Sequence, residues 1–167
     1  KNGEFTVNIA LIEDQTPVFG VVYAPAIDQM FWGSLQYGAW KQAANSLPEI
    51  LTVAAKIDGT AQIAASRSHP SDKMNNFIKQ FPKYKLEPIG SSLKICKVAD
   101  GTLHLYPRLG PTMEWDTAAA HAVLKSAGGE IIQAGTNSPL MYNKNDLLNP
   151  EFIAGNMKII QNLKMAD

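Results

Sequence analysis

The chain has 167 residues, 46% of them hydrophobic, which is enough to bury a real core in one domain or two small ones. Fifteen Lys and Arg balance fifteen Asp and Glu, which argues against a broad electrostatic footprint for nucleic acid or an anionic membrane, so any anion site must be local. The lone cysteine, Cys96, excludes an internal disulfide framework, and no run of about eighteen apolar residues offers a membrane-spanning helix. With no charged-then-apolar leader, a cytoplasmic location is expected, and the opening Lys1-Asn2-Gly3-Glu4, without methionine, reads as the middle of a protein.

Residues 5–13, 18–23 and 30–32 alternate with the two-residue period of β-strands. Asp14-Gln15-Thr16-Pro17 and the segment 24–29 supply turn residues between them, which makes an antiparallel meander. Residues 33–41 predict another short strand, and Asn45-Ser46-Leu47-Pro48 begins a connection. A boundary is expected near residues 56–59, dividing the chain into units 1–58 and 59–167.

Beyond it strands and helices alternate. Strands are predicted at 61–66, 84–89, 102–106, 130–133 and 152–154. Helices are predicted at 72–80, 92–99, 116–127 and 157–163, with a polar loop at 137–149. The expected class is α/β, a layered α+β sandwich with antiparallel strands first and an α/β layer after them. There is no internal repeat.

Four segments carry groups suited to a phosphorylated ligand. Ser66-Arg67-Ser68-His69-Pro70 lies at a strand end, where Pro70 keeps His69 out of helical geometry; an ordinary polar turn is the alternative. Gly90-Ser91-Ser92-Leu93-Lys94 opens a helix with two hydroxyls, free amides and an ammonium, either an oxyanion cradle or a Ser-capped helix. Arg108 ends a strand, where its fork could pair two phosphate oxygens or simply face solvent. Asp116 is well placed as N-cap of the alanine-rich helix that Gly128-Gly129 stops, and a carboxylate at that position either caps or holds a metal. His121 reads as a packing or surface histidine and His104 as a mid-strand residue with no evident partner; neither is read as catalytic.

Trp115-Asp116-Thr117-Ala118-Ala119 followed by Gly128-Gly129 resembles the C-terminal signature of the inositol monophosphatase superfamily, magnesium-dependent, lithium-sensitive phosphatases of small phosphorylated molecules. Segments 3–12, 20–25, 66–69, 90–94 and 105–116 are similar to its CysQ-type branch, the 3'(2'),5'-bisphosphate nucleotidases that act on adenosine 3',5'-bisphosphate in sulfur assimilation and nucleotide recycling. The resemblance implies that Asp116 binds catalytic metal and substrate, and that His69, Ser91, Ser92, Lys94 and Arg108 line the nucleotide and its non-transferred phosphate. Glu114 receives no firm role, and no residue of the chain is assigned the chemical step. Inositol phosphatases carry an acidic residue where this chain has Arg108, and a cation there suits a second phosphate.

The family's magnesium ions take most of their oxygens from an upstream acidic pair and an Asp-Pro-Leu-Asp-Gly-Thr segment, and this sequence contains neither. The chain is therefore expected to be the C-terminal part of a phosphatase, with an incomplete fold and metal site, inactive alone and open to self-association through uncovered apolar surface. The resemblance further implies a cytoplasmic enzyme loosely associated with the inner membrane. Rival readings are an inositol or sugar-phosphate phosphatase of the same fold, and a non-catalytic nucleotide-binding module.

Overall fold

The computed structural model describes residues 3–65 and 71–163. The first sheet is β1 (Val7–Glu13), β2 (Thr16–Ala24), β3 (Gln29–Ser34), β4 (Gly38–Ala43) and β5 (Glu49–Ile50), antiparallel throughout and in chain order, which is the expected meander. Asp14 and Gln15 take φ of 46° and 62°, the left-handed pair that a two-residue hairpin needs. Strand β2 begins earlier than expected because Pro17 pairs with Ile12 just past a register shift between Leu11 and Ile12, a place where a strand tolerates proline.

The second sheet holds β6 (Ala61–Ala65), β7 (Tyr84–Pro88), β8 (Leu105–Arg108), β9 (Glu130–Gln133) and β10 (Phe152–Gly155), in the order β7-β6-β8-β10-β9. Strand β6 is parallel to β7 and β8, whereas β10 runs antiparallel to β8 and β9. The helices are α1 (Asp72–Ile78), α2 (Leu93–Ala99), α3 (Glu114–Ser126) and α4 (Met157–Ile160).

Helices α2 and α3 lie between the two sheets. Val22 and Phe31 of the first sheet share a core with Ile95 and Cys96 of α2, Val123 and Leu124 of α3, and Tyr106, Ile131 and Phe152 of the second. The opposite face of the second sheet presents Ile63, Leu105, Ile132 and Ile153 to α1 and α4. Successive residues such as Ile131 and Ile132 therefore feed opposite cores, which is why these strands read as short apolar runs rather than alternations.

Helix α3 approaches the first sheet at glycine distance. A Cβ on Gly20 would lie 2.2 Å from the Ala119 carbonyl oxygen, and one on Gly33 would lie 2.9 Å from the Val123 Cα. Gly128 stops the helix as expected: at φ +89° it donates to the Lys125 carbonyl while Gly129 donates to that of Leu124, the paired bonds of a Schellman ending.

Several expected elements change their bounds: the strand read at 33–41 runs from 38 to 43, because Gly33 and Ser34 finish β3 and Gly38 at φ +76° opens the next strand, and the helix read at 72–80 ends at Ile78. The strand read at 102–106 runs from 105 to 108, since Gly101 at φ +74° reverses the chain after α2 and the Asp100 carboxylate accepts the Thr102 N–H at 3.0 Å. The terminal helix stops at Ile160 rather than 163. Helix α3 starts two residues before 116, because the Glu114 N–H already has its acceptor in the Leu147 carbonyl at 3.0 Å.

The outer face of the first sheet is apolar and open: Ile9 is 63% exposed, Leu11 52% and Ile50 68%. No helix among the described residues is long and apolar enough to cross a membrane.

Candidate functional site

Strand period places residues 106 and 108 on one face of β8, and that face organises the site. Tyr106 is buried, edge-on to Phe152 at 5.7 Å between ring centroids, with the Lys94 ammonium 5.4 Å from its own ring centroid. The Arg108 guanidinium lies close enough to the Tyr106 hydroxyl to act on its proton affinity, and its Nη2 donates to the Pro111 carbonyl at 2.7 Å. Burial pushes the Tyr106 hydroxyl up to about 12; Arg108 works against that rise, and the Asp116 carboxylate adds to it. The end of β8, the start of α2 and the start of α3 thus bring Arg108, Lys94 and Asp116 around one buried aromatic residue. Tyr106 was not among the residues singled out in the sequence, although its two-residue spacing from Arg108 was the available signal.

Asp116 is exposed, but it is not the N-cap expected from the sequence. It is the third helical residue; Met113 is the cap position, and the Asp116 carboxylate reaches back to accept the Met113 N–H at 3.0 Å. The interaction is half of a capping box, with no side-chain acceptor on Met113 to return it.

The segment 90–94 departs from the expected open cradle. The Gly90 N–H donates to the Glu4 carboxylate at 2.5 Å. The Ser92 hydroxyl, buried, donates to Asn8 Oδ1 at 2.7 Å and lies 2.9 Å from the Thr6 hydroxyl. It makes no cap bond, so Ser92 is a tie between β1 and α2 rather than the capping serine of the alternative reading. Lys94 is buried and donates to the Ile89 carbonyl at 3.1 Å, while Ser91 is exposed at φ +52°. Burial of Lys94 follows from the position of α2 between two sheets. His69, with the rest of segment 66–70, lies outside the described residues.

His104 precedes β8 and does have a partner: its ring Nδ1 accepts the Gln62 backbone N–H at 2.9 Å while the His104 backbone N–H donates to the Gln62 carbonyl at 2.8 Å. Burial lowers its proton affinity. His121 is fully buried, with Nδ1 2.9 Å from the Tyr142 hydroxyl and Nε2 on the Glu130 carboxylate. Burial holds it below its ordinary value against the pull of Glu130. Glu114 is buried too; its carboxylate accepts the Asn143 and Lys144 N–H groups at 2.8 and 3.2 Å and pairs with the Lys144 ammonium.

Glu130 carries a pH prediction. Burial works to raise its carboxyl, but His121, the Ile131 N–H and Lys125 outweigh it and hold the group at about 2, against an ordinary 4.5. A depressed carboxylate stabilises the fold above its unfolded value and loses that contribution as pH falls through 4.5 towards 2. Discounted for partial exposure, the loss is about 2 kcal/mol. Urea titrations between pH 6 and 2.5 are expected to show a shallower acid decline in Glu130→Gln than in the wild type; parallel declines would refute the assignment.

Among the described residues no three His, Cys, Asp or Glu side chains stand close enough to hold a metal. Asp116 offers hard oxygen, but Glu114, two residues away, is committed to Lys144 and the 143–144 amides. Magnesium demands near-octahedral oxygen geometry, and the described residues do not supply it by themselves.

The sequence profile of the inositol monophosphatase family matches residues 1–166. The chain is 41% identical over 152 residues to the 3'(2'),5'-bisphosphate nucleotidase CysQ of Salmonella typhimurium, covering 91% of this chain and 60% of that protein. It is also 41% identical to the Buchnera aphidicola protein of the same name, covering 86% of this chain and 52% of that one. The crystal structure of CysQ from Bacteroides thetaiotaomicron superposes with a TM-score of 0.84 at 41% identity, over 93% of this chain and 64% of the other. The chain thus spans between half and two thirds of the length of these relatives.

Proposed function

Because the chain belongs to the inositol monophosphatase family, we propose that it is the substrate-side part of a magnesium-dependent phosphatase that hydrolyses the 3'-phosphate of adenosine 3',5'-bisphosphate. The convergence of Arg108, Lys94 and Asp116 on Tyr106 carries this reading. A guanidinium fork, suited to paired phosphate oxygens, then stands near the same buried residue that an exposed carboxylate at a helix start also influences. The names of the 41% identical relatives supply the substrate class.

In the proposed reaction, water oxygen bonds to phosphorus as the ester bond to the 3'-oxygen breaks, and that oxygen leaves with a proton. The residues of this chain would bind and orient: Arg108 the non-transferred phosphate, Ser91 and His69 the nucleotide, and Lys94 the local positive field. Ser92 would act through its ties to Thr6 and Asn8 by keeping the start of α2 in register. Bound magnesium would supply activation of the attacking water, and Asp116 would contribute one of its oxygens. In this reading residues 1–58 are strands of the metal-side unit and 59–167 the substrate-side unit. Location in the cytoplasm, loosely held at the inner membrane, is part of the same proposal.

The test is calorimetric titration of adenosine 3',5'-bisphosphate into the chain, with and without magnesium. Arg108→Ala is expected to weaken binding about tenfold or more, the usual cost of losing a charge-assisted fork. With a single metal-side carboxylate among the described candidates, no magnesium-dependent phosphate release is expected from the chain alone; robust turnover would overturn that part. Binding that ignores magnesium and Arg108 alike would favour a nucleotide-binding module over the phosphatase reading. The open apolar face of the first sheet is expected to drive association of two copies, seen as an apparent mass that rises with concentration in sedimentation. A monomer at all concentrations would remove it.

A further inference from the structure

We infer that Tyr142 and His121 are positioning residues for the turn that carries Asp116, acting through the hydroxyl of Thr117. The inference rests on the proposed role of Asp116. Thr117 and His121 are four residues apart on α3 and so share one face of the helix. Tyr142, from the loop between β9 and β10, straddles them. Its hydroxyl donates to Thr117 Oγ1 at 3.2 Å and lies 2.9 Å from His121 Nδ1. Thr117 in turn donates to the Glu114 carbonyl at 3.2 Å, inside the first turn of the helix.

The outer ends of this chain are anchored. His121 Nε2 meets the Glu130 carboxylate at the start of β9, which also accepts the Ile131 N–H at 3.0 Å and the Lys125 ammonium at 3.1 Å. At the other end Asn149 Nδ2 donates to Thr117 Oγ1 at 3.1 Å and to Thr112 Oγ1 at 3.3 Å. Thr117, His121, Tyr142 and Asn149 are all buried. A buried hydroxyl or amide that loses its partner bears a desolvation cost, so each link resists displacement of the next. The sequence thereby fixes an exposed carboxylate at one end of a helix to a strand of the sheet at the other. Glu114 and Glu130 are the acidic groups whose fields reach Tyr142, and Lys125 and Glu130 are the charged groups acting on His121.

The test is hydrogen exchange, read amide by amide by NMR on the intact chain. Tyr142→Phe keeps the ring and removes the hydroxyl; Thr117→Val keeps the shape and removes its hydroxyl, whereas Thr117→Ser restores one. Protection of the Asp116, Asn143 and Lys144 amides is expected to fall about fivefold to tenfold in Tyr142→Phe and Thr117→Val. It should be largely retained in Thr117→Ser, with the Ala154 amide of β10 unchanged in all three. Equal protection in the wild type, Tyr142→Phe and Thr117→Val overturns the inference, as does a uniform loss that includes Ala154. Adenosine 3',5'-bisphosphate added to the wild type separates the two readings. A ligand that leaves the Asp116 amide resonance unmoved strikes the role of Asp116, while the exchange result judges the positioning network alone.

Discussion

Gly20→Val is expected to destabilise the protein by about 3 kcal/mol or more, read as a lower urea midpoint at unchanged slope. The cause is the depth at which α3 sits on the first sheet. A Cβ at residue 20 would stand 2.2 Å from the Ala119 carbonyl oxygen and 2.9 Å from both the Ala119 carbonyl carbon and the Ala122 Cβ. The first two are backbone atoms, so no rotamer change relieves the clash; the helix must lift, and it opens the core shared by Phe31, Val123 and Leu124 as it does so. Gly33→Val should act in the same direction, since its Cβ would meet the Val123 Cα at 2.9 Å. Gly38→Ala is the control: nothing lies within 4 Å, and only its φ of +76° opposes a side chain. A cost of about 1 kcal/mol is expected there. Should Gly20→Val and Gly38→Ala cost the same, the close approach of α3 to the sheet would be refuted.

That close approach was only half legible in the sequence. The strand pattern at Val18-Phe19-Gly20-Val21-Val22 was plain, and so was the small-residue run Ala118-Ala119-Ala120, but nothing local says that the two small surfaces face each other. The first three strands and the α3 ending were readable because alternation, turn residues and Gly128 act over a few residues, whereas the fourth strand was started five residues too early. Ser92 and Lys94 looked like free ligand groups because they stand where a strand ends and a helix opens, a place where hydroxyls, amides and an ammonium gather within one turn. Their neighbours in space are Thr6 and Asn8, more than eighty residues away, and the buried Tyr106. Asp116 fits the cap rule by residue type, yet the start of α3 is set by a distant bond, from the Glu114 N–H to Leu147. Histidine was hardest to read: His104 and His121 gain their roles from Gln62, Glu130 and Tyr142, which only the fold brings near.

Glu114→Ala is expected to cost about 3 kcal/mol, because it removes the acceptor from two backbone N–H groups and the partner from an ammonium at once. The carboxylate is buried and holds the Asn143 N–H at 2.8 Å, the Lys144 N–H at 3.2 Å and the Lys144 ammonium. Burial works to raise its proton affinity, but Lys144 and the two amides prevail, so the group stays below its ordinary value. Asn143 sits at φ +57°, a left-handed geometry that asparagine tolerates better than most side chains. With the carboxylate gone, that conformation loses two of the bonds that hold it, and loop 141–149 should lose amide protection before the rest of the fold. Glu114→Gln keeps one carbonyl acceptor and should cost about half as much, because its oxygen replaces only one of the two carboxylate oxygens, its NH2 meets donors at the other, and the charge opposite Lys144 is lost. If the loop were held by its backbone bonds alone, from the Asn149 N–H to the Thr112 carbonyl at 2.9 Å, the Glu114 N–H to the Leu147 carbonyl at 3.0 Å and the Tyr142 N–H to the Gln15 carbonyl at 3.1 Å, Ala and Gln would be equally mild. A graded loss from Gln to Ala, confined first to residues 143 and 144, identifies the carboxylate as the clasp that closes the loop over the start of α3.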